Sequence, residues 1–150
     1  MIDRNARDAL AEATRHLATC QFTNYQFDDA AFDLWTADQA ILDIRDQLWL
    51  LYDDLHQHKL DGKWALSEEQ RLIVVRIVAF LKSDLEYMWP KRPLWYRLAR
   101  PLIAMFTLGF GPRTIEGRFD KGLDLDVWPF SSKSEFDQAI KQPRYLAGAT

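Results

Sequence analysis

The amino-acid sequence predicts a mainly α-helical fold, a single compact domain spanning residues 1–150. Two patterns predict it. Apolar residues recur at three- and four-residue steps through long stretches, which is the period of a helix face. Ser or Thr followed three residues later by Gln or Glu, the spacing of a capping box, stands at Thr36, Ser67 and Ser132. The layout that follows is three main helices, a fourth kinked by proline, and a small irregular or β-hairpin element near the C-terminus.

The first helix runs from Asp3 to Thr19, with Ala6, Leu10, Ala13 and Leu17 along one face. Gln21 to Asp29 breaks that period and reads as a loop pinned by Phe22, Tyr25 and Phe27. The second helix, Thr36 to His56, carries a stripe of Ile41, Ile44, Leu48, Leu51 and Leu55, widened by Leu42, Trp49, Leu50 and Tyr52. So apolar a helix belongs at the centre of the fold. Gly62 supplies a turn, and a third helix runs from Ser67 to about Leu85 with Ile73, Ile77, Phe80 and Leu81 inward. Pro90 and Pro93 end helical geometry there.

Leu94 to Leu108 reads as the fourth helix, with Pro101 inside it as the kink and Gly109, Gly111 and Pro112 as its stop. Leu123, Leu125 and Val127 then alternate with Asp124 and Asp126 at strand period, and Asp120 to Gly122 offers a hairpin turn. Ser132 and Glu135 cap a last short helix that carries Phe136 and Ile140 and ends before Pro143. Trp35, Trp49, Trp64, Trp89 and Trp95 are expected to be buried.

With 150 residues, 48% hydrophobic and 27% charged, the chain has the composition of a folded protein and can bury a core without metal or disulfide support. Cys20 is the one cysteine, so an internal disulfide is excluded and a cytoplasmic setting is expected. Met1 to Asp8 is polar and does not read as a signal peptide. The uncharged run from Pro101 to Pro112 is twelve residues, against the roughly 20 that a membrane span requires.

Charge is unevenly spread. Residues 1–89 hold 9 basic and 16 acidic side chains, whereas residues 90–121 hold 7 basic and 2 acidic ones. Lys91, Arg92, Arg97 and Arg100 there interleave with Trp95, Tyr96 and Phe106, with Trp89 at the start of the same run, and Arg113 follows the glycines.

Four clusters invite a chemical reading. His56 and His58 follow Asp53 and Asp54, mixed N/O donors of the kind metals use. Residues two apart on a regular helix do not share a face, so both histidines cannot serve one ion there, and no metal is expected. Asp124 and Asp126 would share one side of a strand, an arrangement open to acid–base work. Gly109 to Thr114 offers backbone amides and Arg113 to an anion, but it lacks the Gly-Lys-Ser/Thr ending of a phosphate loop. The basic aromatic segment is rich in Trp, Tyr and Arg, the residues that dominate protein–protein contacts.

The expected function is therefore that of a non-enzymatic protein-interaction or regulatory protein. Its contact segment is 89–113, with Lys91, Arg92, Trp95, Arg97, Arg100 and Arg113 as contact residues. The expected partner is another protein rather than nucleic acid, and no cofactor is implied. The alternative is a small enzyme or anion-binding protein built on Gly109–Thr114 with Asp124 and Asp126. A second alternative is peripheral binding to a membrane surface, which suits a basic amphipathic helix edged by Trp and Tyr.

Overall fold

The computed structural model describes residues 1–89 and 124–141, and these form a mainly helical structure without a strand among them. The elements are α1 (Arg4–Ala18), α2 (Asn24–Phe32), α3 (Gln39–Leu48), α4 (Glu68–Leu81) and α5 (Lys133–Lys141). Short 3-10 turns follow α3 (Trp49–Leu51), precede α4 (Gly62–Trp64) and precede α5 (Leu125–Val127). The expected proline-kinked helix and the body of the expected hairpin lie outside the described residues.

Helix α1 begins where Asp3 accepts the Ala6 amide at 3.0 Å and closes at Cys20, which takes a left-handed φ of 59°. Its buried side chains, Ala6, Arg7, Leu10, Ala11, Ala13, Thr14 and Leu17, cover a wide arc. Several are small, so neighbouring helices approach closely. Helix α1 packs against α2, α3 and α4 and thereby takes the central position that the apolar pattern of residues 36–56 had suggested for α3. Its first turn also closes α4. Arg4 donates to the Leu81 and Ser83 carbonyls at the C-terminal end of α4, where a cation satisfies open acceptors and complements the helix dipole. Lys82 returns an ion pair of 2.9 Å to Asp8.

Helix α2 replaces the expected loop. Thr23 and Gln26 form a capping box, with the Thr23 hydroxyl taking the Gln26 amide and the Gln26 side chain taking the Thr23 amide. Phe27 and Ala31 then face the core at 0% exposure.

Helix α3 is shorter than the period suggests. Its cap is Asp38, whose side chain accepts the Ala40 amide, and not Thr36. Its regular part stops at Leu48, and by Tyr52 the backbone is extended, with φ −139° and ψ 164°. Tertiary bonds end it. The buried Asn24 side chain donates to the carbonyls of Asp53 and His56, both at 2.9 Å, and accepts the His58 amide at 2.9 Å. Backbone groups captured in this way are unavailable to a helix.

Ser67 and Gln70 form the expected capping box, and α4 buries Val74, Ile77, Ala79, Phe80 and Leu81. Its regular part ends at Leu81, four residues short of the expected boundary. Phe80 continues the core into the C-terminal elements by edge contact with Phe130 at 5.4 Å, which in turn meets Phe136 at 5.3 Å. Trp89 closes this end, buried and donating from its indole nitrogen to the Pro129 carbonyl at 3.0 Å. Residues 124–127 form a turn rather than a strand. The Val127 amide bonds back to the Asp124 carbonyl at 3.2 Å, and the Asp126 amide bonds to the Asp124 carboxylate at 3.0 Å. The cap of α5 uses Ser132 for the Glu135 amide, while the Glu135 carboxylate turns back to Ser131.

Candidate functional site

Among the described residues, a dense polar arrangement joins the start of α1 to the start of α3. Arg7 and Asp38 form a two-pronged ion pair, with Nε to Oδ2 at 2.7 Å and Nη2 to Oδ1 at 3.3 Å. Their side chains are 1% and 3% exposed. The third Arg7 nitrogen donates to the Leu85 carbonyl at 2.8 Å, and the guanidinium carbon lies 5.1 Å from the centre of the Phe80 ring. Asp38 also accepts the amides of Asp3 and Ala40. Burial works to raise the Asp38 pKa, but the bonds from Arg7 and from the two amides outweigh it and hold the carboxyl below its ordinary range. Thr36 completes the network by donating to Asp3 at 2.9 Å and accepting the Asp38 amide at 3.1 Å.

A shallow depression of about 260 Å³ opens beside this network, with Ile2, Asn5, Thr36 and Ala37 among its lining residues. Both charges of the pair are fully bonded inside the protein. The network therefore fixes the chain and offers no free reactive group.

What it fixes is the stretch between α2 and α3. Residues 33–38 alternate strictly, with Leu34, Thr36 and Asp38 inward and Asp33, Trp35 and Ala37 outward. An extended segment alternates faces by geometry, so anchoring Thr36 and Asp38 inward sends Trp35 outward. Its side chain is 96% exposed. This overturns the expectation that Trp35 is buried. Trp49 is also exposed, at 42%, where α3 gives way to the 3-10 turn. Trp64 is half-buried against His58, and Trp89 alone of the described four is buried as expected.

A second set of exposed rings lies along the α2–α3 pair. Tyr25, Asp29 and Phe32 are four and three residues apart and share one stripe of α2. Each of them is exposed. Arg45 of α3 crosses to this stripe and stacks its guanidinium 4.4 Å from the Phe32 ring centre. Trp49 follows Arg45 by four residues, and the Tyr25 hydroxyl reaches the Asp54 carbonyl at 3.4 Å.

The residues singled out from sequence fare unevenly. His56, the expected last residue of the second helix, and His58 both lie beyond it, since α3 ends at Leu48. His56 faces the Asp53 carboxylate at 3.3 Å. His58 stacks on Trp64 at 4.3 Å, and its Nδ1 meets the His56 carbonyl. The Leu55 amide, then His56, hold the Asp53 carboxyl below its ordinary range. Among the described residues no group of three or more His, Cys, Asp or Glu is placed to hold a metal ion. Asp124 spends its carboxylate on its own turn, and Asp126 is exposed. Lys91, Arg92, Trp95, Arg97, Arg100 and the Gly109–Thr114 loop with Arg113 lie outside the described residues. No helix among those described is long and apolar enough to cross a membrane. Comparison with known protein families, curated proteins and solved structures gives no match.

Proposed function

We propose that this protein works by binding another protein, as a non-enzymatic interaction or regulatory module. The observation that supports this reading is Trp35. An indole in water forgoes the stabilisation that burial of so large an apolar surface brings. This one also stands on a backbone tied down on one side by Thr36 and Asp38. A large aromatic held ready on a fixed support has already lost part of the freedom that binding would cost, which is the behaviour of an anchor residue. The basic aromatic segment 89–113, with Lys91, Arg92, Trp95, Arg97, Arg100 and Arg113, is the second contact in this reading.

The test is affinity purification from the native cell, with wild type beside Trp35→Ala. A stoichiometric protein recovered by the wild type and lost by the variant, with an unchanged melting temperature, is the expected result. Equal recovery by both would remove Trp35 as the anchor. A reproducible small-molecule turnover by the purified protein would replace the reading with an enzymatic one.

A further inference from the structure

We infer that the outer face of α2, together with the end of α3, receives a cationic amphipathic segment of the partner protein. This inference rests on the interaction reading above and names the chemistry of the partner. Residues 24–55 contain eight aspartates and one arginine. One aspartate, Asp38, is neutralised in the core by Arg7. On the face itself Tyr25 and Phe32 expose their rings, with Asp29 and Asp33 exposed beside them; Asp54, whose carbonyl takes the Tyr25 hydroxyl, and Trp49 at the end of α3 are exposed as well. Trp35 follows Phe32 by three residues, a reach of at most about 11 Å, so the anchor belongs to the same neighbourhood.

The placement of the acids is unfavourable to the helix that carries them. Asp29 lies in the last turn of α2, Asp33 is its C-terminal cap, and no basic residue occupies that turn. The carbonyl end of a helix repels anions and favours cations. An arginine or lysine from a partner would meet two carboxylates and the helix end together. Arg45 shows how such a group sits here, since its guanidinium already lies on the Phe32 ring. The alternation of exposed rings with carboxylates matches a helix that carries apolar side chains on one side and cations at its edge. The same negative charge disfavours an anionic lipid surface.

The probe is a labelled helical peptide of leucine and arginine, titrated into the full-length protein by fluorescence anisotropy. A leucine–glutamate peptide and vesicles of anionic phospholipid run beside it. The expected result is saturable binding of the arginine peptide that weakens as salt rises, with neither control bound. The variant Asp29→Lys/Asp33→Lys is expected to lose binding by about tenfold or more, because the sign of the rim is reversed. Its melting temperature should stay level or rise, because the helix end is relieved. Wild type and variant binding the peptide alike would overturn the inference, as would preferential binding of the glutamate peptide or of vesicles. In the native-cell purification, a partner lost by Trp35→Ala yet kept by Asp29→Lys/Asp33→Lys would also overturn it, leaving the interaction reading intact.

Discussion

At the scale of single residues, the arginine–aspartate pair between α1 and α3 decides how the N-terminal part is held. Removing one member of a buried pair strands the other charge, at a typical cost of about 3–5 kcal/mol. Asp38→Asn should therefore destabilise strongly, as read by urea unfolding. The pH dependence follows from the direction of the Asp38 shift. Its folded pKa lies below the ordinary 3.8, so the pair's contribution is fully present above the unfolded value and is lost as pH falls through the folded one. The stability gap between wild type and Asp38→Asn should thus be constant near neutrality and shrink below about pH 4. A gap that widened in acid would contradict the pairing. Arg7 was hard to read from sequence, because on α1 it falls at helical spacing with Leu10 and Thr14 and resembles any charge beside an apolar stripe. Only the fold brings Asp38 to it from 31 residues away.

At the scale of elements, local signals were legible where they were self-contained. The Ser67–Gln70 box and the apolar face of α4 need nothing beyond their own residues, and both stand where the sequence predicts them. The Thr23–Gln26 box has the same spacing and was equally open to reading, but the aromatics after it masked the helix. The end of α3 was not legible, because it depends on Asn24, a residue of another element. Two predictions separate these cases. Leu48 is fully buried at the last regular turn of α3, so Leu48→Ala should cost about 2–5 kcal/mol in urea unfolding. Asn24→Ala should cost about 1–3 kcal/mol for each buried backbone group left unbonded. It should also raise hydrogen exchange at the His58 amide, whose acceptor is the Asn24 side chain, while exchange within α4 stays comparatively slow. A uniform rise across all helices would mean that Asn24 supports the whole fold rather than one segment.

At the scale of the molecule, charge sorts the chain into an acidic part, residues 1–89 with 9 basic and 16 acidic side chains, and a basic stretch, residues 90–121 with 7 and 2. The mainly helical class followed from periodicity alone, yet the surface did not. Two of the tryptophans assigned to the core, Trp35 and Trp49, are exposed, the first on a pinned extended segment and the second where α3 gives way to a 3-10 turn. The basic stretch poses the corresponding question on the other side of the charge divide. Arg97 and Arg100 are three apart, so on a helix they share a face and act together. If they serve a partner, their exposed pairs contribute only about 0–1 kcal/mol each. Arg97→Gln/Arg100→Gln should then leave the melting temperature nearly unchanged, while recovery of the native partner falls and loses its salt sensitivity. If instead they hold the basic stretch to the acidic helices, the melting temperature should drop by several degrees with recovery unchanged. Thermal unfolding and purification at low and high salt, made on the same preparation, separate the two outcomes. The first is expected, because Trp35 and the α2 face already show this protein presenting large rings to water.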